Sequence, residues 1–355
     1  LFLGSYPITP ASDILHELAK HKNFGVKTFQ AEDEIAGICA AIGSSFAGNL
    51  AITTTSGPGF ALKGEALGLA IMAELPLVVV DVQRGGPSTG LPTKTEQSDL
   101  MQALYGRNGE SPAVVIAAST PANCFDWAYM ASKITLEHNT PVVLLSDGFL
   151  GNGAEPWRIK STHDMPEIKA NITTATEDYQ PYMRDEKTLA RSLAIPGTKG
   201  LEHRLGGLEK EDVSGNVSYD PENHQKMCNL RAEKVARVTN HIPKQEVYGK
   251  QEGDLLVIGW GGTFGHLYST VDVLERAGYS IGLCQFNYIN PLPKNTTDIL
   301  AKYKKIVVCE LNSGQFANYL RMNFQEYHFE QYNKIQGFPF TTTELEEHFK
   351  SLLKK

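Results

Sequence analysis

Short, nearly continuous apolar runs alternate with stretches of helical period through the first 155 residues. Leu1–Gly4, Val26–Phe29, Ala51–Thr54, Pro76–Val82, Ala113–Ala117 and Pro141–Leu145 have the length and Val/Ile/Leu content of strands buried on both faces. Between them, Ala11–His21, Ala31–Phe46, Phe60–Ala73, Glu96–Ala103 and Pro121–His138 read as helices. That alternation predicts a parallel sheet with helices on both faces. Residues 156–250 lose the rhythm. They carry Pro156, Pro166, Pro181, Pro196 and Pro221 and read as a linker with irregular strands, closed by one amphipathic helix near Glu222–His241. Residues 251–355 resume the pattern. Leu255–Gly259, Ile281–Phe286 and Lys305–Cys309 are predicted strands, and Phe264–Ala277, Thr296–Tyr303, Gln315–Asn323 and Thr343–Lys350 predicted helices. The expected fold is therefore α/β, with two three-layer domains built on parallel sheets.

Composition narrows the class. Hydrophobic residues make up 41% and charged residues 21% of the 355, which sets disorder, collagen and coiled coil aside. The formal net charge of -7 argues against a nucleic-acid or anionic-membrane partner. The longest apolar run, Leu75–Val80, is strand-length and far short of a membrane span. Cys39, Cys124, Cys228, Cys284 and Cys309 are too dispersed for a CxxC metal or iron–sulfur site, and reduced cytoplasmic thiols are expected. The chain opens directly on a strand without Met or a signal-peptide pattern, so its N-terminus is expected to lie upstream.

Five segments could carry chemistry. Tyr6-Pro7-Ile8-Thr9-Pro10 follows the first strand. Its prolines fix the backbone around Thr9, whose hydroxyl could face a ligand at a strand's carboxyl end. A rigid turn capped by Ser12 or Asp13 is the alternative. Gln30-Ala31-Glu32-Asp33-Glu34 opens a predicted helix. Its acids complement the macrodipole, and Glu32 aligns with a small-residue stripe of Ala36, Ala40 and Gly43. Thr53-Thr54-Thr55-Ser56-Gly57-Pro58-Gly59 joins a strand to a helix without the Gly-Lys-Ser/Thr ending of a P-loop, so a different phosphate loop and a tight turn both remain open. Gln83-Arg84-Gly85-Gly86-Pro87-Ser88-Thr89-Gly90-Leu91-Pro92-Thr93-Lys94-Thr95-Glu96-Gln97-Ser98-Asp99 is a long Gly/Pro- and hydroxyl-rich loop at a strand edge. Arg84 there is a fork suited to a carboxylate, or else a surface ion pair. Gly259-Trp260-Gly261-Gly262-Thr263-Phe264-Gly265 formally resembles a dinucleotide loop. No acid ends the strand after it, so a structural turn is expected.

The first four segments, in this order, resemble the α subunit of the 2-oxoacid:ferredoxin oxidoreductases, which are thiamine diphosphate enzymes. The resemblance covers nearly the whole chain: residues 1–155 resemble the pyrimidine-binding domain and 251–355 the transketolase C-terminal-like domain. The Gln83–Asp99 loop looks more like the 2-oxoglutarate branch than the pyruvate one. The resemblance implies that Glu32 hydrogen-bonds the aminopyrimidine ring, with Glu34 in that place if the register is off by two. A carboxylic proton shared with the ring nitrogen favours the imino tautomer, the base for the thiazolium C2 proton. It also implies that Thr9 lies near the reacting carbonyl, that Arg84 and Thr93 contact substrate, and that Ser56 and Gly57 lie beneath the pyrimidine.

A Gly-Asp-Gly diphosphate and metal segment does not occur in this sequence. The resemblance therefore implies a β subunit supplying the diphosphate site, Mg²⁺ and a [4Fe–4S] cluster, and a γ-type domain preceding this piece. The implied reaction is CoA-dependent oxidative decarboxylation of a 2-oxoacid, with electrons passed singly to ferredoxin or flavodoxin. Rival readings are the same chemistry on pyruvate, branched-chain or aryl 2-oxoacids, a non-catalytic assembly subunit, and a nucleotide-binding oxidoreductase using the Gly259 loop.

Overall fold

The computed structural model describes residues 1–353. The strands of the first region are β1 (Phe2–Ser5), β2 (Lys27–Gln30), β3 (Ala51–Thr55), β4 (Leu77–Gln83), β5 (Val114–Ala117) and β6 (Pro141–Asp147). The connecting stretch holds β7 (Ile172–Thr173), β8 (Leu193–Ala194) and β9 (Tyr248–Gly249), followed by β10 (Gly253–Trp260), β11 (Ile281–Phe286), β12 (Tyr288–Asn290), β13 (Tyr303–Glu310) and β14 (Phe329–Asn333). The first sheet has the order β12-β5-β6-β4-β3-β1-β2, and the second β14-β13-β10-β11-β9. Pairing is parallel within each, except for the outer strands β12 and β9. The α/β class and the two parallel-sheet layers are as the periodicity predicts.

The two domains are more entangled than the sequence implied. Strand β12 comes from the second region and pairs antiparallel with β5 of the first. One continuous apolar core runs from Leu77, Val79 and Leu145 to Ile258, Trp260, Phe286 and Phe316. Residues 156–250 are likewise fastened to the first domain. Glu74, fully buried, meets Arg184 at 2.5 and 2.8 Å and Lys234 of the Pro221–Arg237 helix at 2.5 Å. Nearby, Arg231 donates to both Glu209 and Cys228, so the trio Glu209, His224 and Cys228 is already tied to a cation.

Burial alone would raise the Glu74 carboxyl, but the charges of Lys234 and Arg184 outweigh it and hold it well below the usual range. Glu74→Ala leaves two buried cations without their partner, and a loss of about 3–5 kcal/mol in chemical denaturation is expected. In the wild type this contribution is present above the unfolded carboxyl value of about 4.3 and is lost as pH falls below it.

Local corrections follow from capping and glycine contacts. The helix predicted from Ala31 begins at Glu34, because Asp33 is its N-cap and accepts from the Ala36 N–H at 2.7 Å. Glu32 thus precedes the helix and shares no face with Ala36, Ala40 and Gly43. The helix lies close to β1, where a Cβ on Gly37 would stand 3.2 Å from the Ser5 Cα. The run predicted as Phe60–Ala73 is two helices, Gly57–Leu62 and Gly64–Ala73, broken at Lys63. The one predicted from Glu96 starts at Leu100. Among the described residues, no helix is long and apolar enough to cross a membrane.

Candidate active site

Strands β4, β3, β1 and β2 lie side by side, and each runs at its carboxyl end into one of the candidate segments. This is the edge where parallel α/β sheets gather ligands. The first four segments are thereby brought to one region.

Arg84, at the end of β4, is only 7% exposed. Its Nη1 donates to the Thr9 carbonyl oxygen at 2.6 Å, so Arg84 and Thr9 converge. Its Nε is buried without a protein acceptor, a cation with donor capacity left over. The guanidinium borders a cleft of about 520 Å³ whose walls include Gly57, Ser98 and Asp99 from the first domain and Asn312, Gln315 and Ile335 from the second. That size suits a small organic acid with a neighbouring group. Thr9 is exposed, and it is its backbone rather than its hydroxyl that meets Arg84. Thr93 is exposed on the outer limb of the loop, beside Lys94, whose ammonium sits 4.4 Å from the Phe338 ring centre.

The acidic segment divides by burial. Glu32 is exposed, whereas Glu34 is buried. The Glu34 side chain lies against Gly59, where an added Cβ would stand 2.6 Å from Glu34 Cγ and 2.8 Å from its Oε1. Lys63 is fully buried and donates from Nζ to the Glu34 carbonyl at 2.8 Å. Burial pulls its ammonium down to about 8. Ser56 caps the Gly57–Leu62 helix without using its hydroxyl, which is buried and unpartnered. The buried Glu34 carboxyl and the unpartnered Ser56 hydroxyl are hydrogen-bonding groups suited to a nitrogen-bearing ring, while the faces of Gly57 and Gly59 are taken up by Asp99 and by Thr55 and Glu34. Gly59→Ala would press on both Thr55 and Glu34. A loss of about 1–3 kcal/mol in thermal or denaturant stability is expected, together with weakened thiamine diphosphate binding in the assembled enzyme by calorimetry.

The Gly259 loop has another task. The Gly262 N–H donates to Asp147 Oδ2 at 3.1 Å. Gly261 has φ +57°, and a Cβ there would stand 2.6 Å from Gln97 Nε2. Gln97 donates to the Trp260 carbonyl at 2.6 Å and accepts from the Leu311 N–H at 3.0 Å. The loop is a structural turn locked onto the first domain, with no room for a pyrophosphate against these groups.

Sequence reasoning assigned no role to Lys63, Asp81, Gln97, Asp99 and Asp147. One signal was present: Asp81 is an acid inside the apolar Pro76–Val82 run, and such a residue needs a buried partner.

Residues 1–220 match the family described as pyruvate flavodoxin/ferredoxin oxidoreductase, thiamine diphosphate-binding, and residues 253–347 match pyruvate:ferredoxin oxidoreductase core domain II. The 2-oxoglutarate oxidoreductase subunit KorA of Mycobacterium tuberculosis is 53% identical over 344 residues, 97% of this chain and 52% of that protein. The 2-oxoglutarate synthase subunit KorA of Archaeoglobus fulgidus is 34% identical over 319 residues, 88% of this chain and 83% of that subunit. Among solved structures, the 2-oxoglutarate:ferredoxin oxidoreductase from Magnetococcus marinus, with 2-oxoglutarate, coenzyme A and succinyl-CoA bound, superposes with a TM-score of 0.92 at 34% identity. That match covers 99% of this chain and 62% of the other. A transketolase from Campylobacter jejuni shares the fold alone, with a TM-score of 0.51 at 10% identity. This chain thus spans about half of the mycobacterial relative. On these matches the chain belongs to the pyruvate flavodoxin/ferredoxin oxidoreductase family, of which it carries a thiamine diphosphate-binding domain and a core domain II.

Proposed function

We propose that this chain is the α part of a 2-oxoglutarate:ferredoxin oxidoreductase. The activity is the CoA-dependent oxidative decarboxylation of 2-oxoglutarate to succinyl-CoA and CO₂, with two electrons passed singly to ferredoxin or flavodoxin. The observation that carries it is Arg84, buried at the cleft edge with its Nε free and its Nη1 on the Thr9 carbonyl. The likeness to the 2-oxoglutarate-bound Magnetococcus structure supports the choice of acid.

In this reading Glu34, rather than the exposed Glu32, shares a proton with the pyrimidine ring nitrogen, and Ser56, Gly57 and Gly59 form the floor beneath the ring. Bound there, thiamine diphosphate supplies the electron sink for decarboxylation. Arg84 holds the substrate's 1-carboxylate and fixes the acid's orientation, which a planar fork does better than a point charge. Thr9 lies near the reacting carbonyl, and Thr93 contacts substrate from the loop's outer limb. Asn312 and Gln315 of the second domain form part of the cleft wall facing Arg84. A β subunit supplies the diphosphate site, Mg²⁺ and the [4Fe–4S] cluster, a γ-type domain completes the assembly, and the complex works in the cytoplasm.

Two measurements test this. In steady-state kinetics of the assembled enzyme with a viologen acceptor and CoA, 2-oxoglutarate should exceed pyruvate, branched-chain and aryl 2-oxoacids in kcat/KM. A preference for another acid overturns the substrate assignment. Calorimetry on this chain alone should show weak or no thiamine diphosphate binding with Mg²⁺, and submicromolar binding would remove the need for a β subunit.

A further inference from the structure

Arg84 stands just past the sheet pairing of β4, whose last register pair is Gln83 with Asp147. Its place therefore depends on what holds the loop that follows. That loop turns back through the exposed Gly86–Leu91 and returns through Lys94–Asp99. The residues on either side of Arg84 are tied to the returning limb. Gly85 donates its N–H to the Lys94 carbonyl at 3.0 Å, and the Gln83 side chain accepts from the Asp99 N–H at 3.1 Å. The Arg84 carbonyl itself accepts from the Ser98 hydroxyl at 3.4 Å.

The returning limb is in turn held by the second domain. Gln97 is fully buried, and both its backbone and its side chain are bonded there. Its N–H donates to the Leu311 carbonyl at 3.0 Å, and its carbonyl accepts from Asn312 Nδ2 at 2.7 Å. Its Oε1 accepts from the Leu311 N–H at 3.0 Å, and its Nε2 donates to the Trp260 carbonyl at 2.6 Å. Next to it, the Ser98 carbonyl accepts from Gln315 Nε2 at 2.7 Å, and Gln315 Oε1 accepts from the Met101 N–H at 2.9 Å. The second domain's side is braced by its own bonds. The buried Glu310 carboxylate accepts from Asn312 Nδ2 at 2.9 Å, Trp260 Nε1 at 3.1 Å and the Phe316 N–H at 2.7 Å. Even the first domain's anchor for the limb is shared. Thr95 donates to Asp147 Oδ1 at 3.1 Å, and Asp147 Oδ2 accepts from the second domain's Gly262 N–H at 3.1 Å.

We propose that Gln97 is a positioning residue through which the second domain holds Arg84 in place, so that affinity for the 2-oxoacid is set from the second domain. The proposal rests on the reading of Arg84 as the substrate-carboxylate ligand. Gln97 acts through the returning limb, which carries Gln83, Arg84 and Gly85 with it. A planar fork contributes orientation as well as charge, so a small displacement of the guanidinium misaligns both of its bonds to a carboxylate. Releasing the limb from the second domain removes the constraint that fixes that orientation.

Gln97→Met keeps the volume and removes both side-chain bonds. In the assembled enzyme, kcat/KM for 2-oxoglutarate should fall roughly tenfold, the effect of buried hydrogen bonds left unmade, and mainly through a higher KM. A double-mutant cycle with Arg84→Lys tests the route. If Gln97 acts through Arg84, the double variant loses less than about twofold beyond Arg84→Lys alone. Additive losses overturn the proposal, as does a change below about twofold in Gln97→Met. A fall in kcat at unchanged KM, the signature of a partly inactive preparation, overturns it too. Failure of the underlying reading looks different: Arg84→Lys alone would then change kcat/KM by less than about threefold, and the proposal falls with it. Should Gln97→Met fail to assemble, Gln315→Leu takes its place. It cuts the bonds to Ser98 and Met101 from the half-buried start of the Gln315–Asn323 helix, and the same outcomes decide.

Discussion

Glu34→Gln in the assembled enzyme is expected to keep thiamine diphosphate bound while slowing exchange of its C2 proton by roughly 10²- to 10⁴-fold, the usual contribution of one positioned acid–base group. The amide preserves size and hydrogen bonding but has no acidic proton to share with a ring nitrogen. The location argues for Glu34 in particular. It is buried against Gly59, and its backbone is pinned by Lys63. Glu32 is exposed ahead of the helix, so Glu32→Gln should alter exchange by less than about threefold, as surface substitutions do. Deuterium exchange at the cofactor measured by NMR after acid quench checks both. Loss in Glu32→Gln with none in Glu34→Gln would reverse the assignment.

Arg84→Lys keeps the charge and loses the fork. Its guanidinium is held at the Thr9 carbonyl by Nη1, which leaves Nε and the remaining edge to meet a carboxylate. A lysine ammonium cannot make both bonds in one plane. Charge-assisted bonds at a buried site contribute about 1.5–3 kcal/mol, so kcat/KM for 2-oxoglutarate should fall roughly 10- to 150-fold. KM should rise, and kcat should fall with it if the acid is held out of line. A surface ion pair would move kcat/KM by less than about fivefold. Steady-state kinetics with a viologen acceptor separates the two outcomes.

What could be read in advance followed the strength of the local signal. Strands β3, β4, β5 and β6 are near-unbroken Val, Ile, Leu and Thr runs, and buried parallel strands have that signature. The Arg84 loop was visible because a strand ends in glycines and prolines. The position of the buried glutamate was not, because Glu32, Asp33 and Glu34 are all compatible with a helix start and only the cap geometry separates them. Strand β14 reads Phe-Glu-Gln-Tyr-Asn, an edge strand without an apolar run, and β12 is three residues long. Neither rises above loop composition. The second domain's wall of the cleft was hidden for another reason. Asn312 and Gln315 reach Gln97, Ser98 and Met101 across more than two hundred residues, and no local pattern encodes such contacts.

The borrowed strand β12 has a further consequence. Val114–Ala117 is buried throughout, and its outer backbone edge is paired by Tyr288 and Asn290. Asn290 also donates its side-chain amide to the Ala113 carbonyl, and Asn287 donates to that of Ala117. A chain ending at residue 250 would bare that apolar edge as a template for pairing with another copy. The second domain therefore covers a strand edge that the first domain alone would leave unpaired.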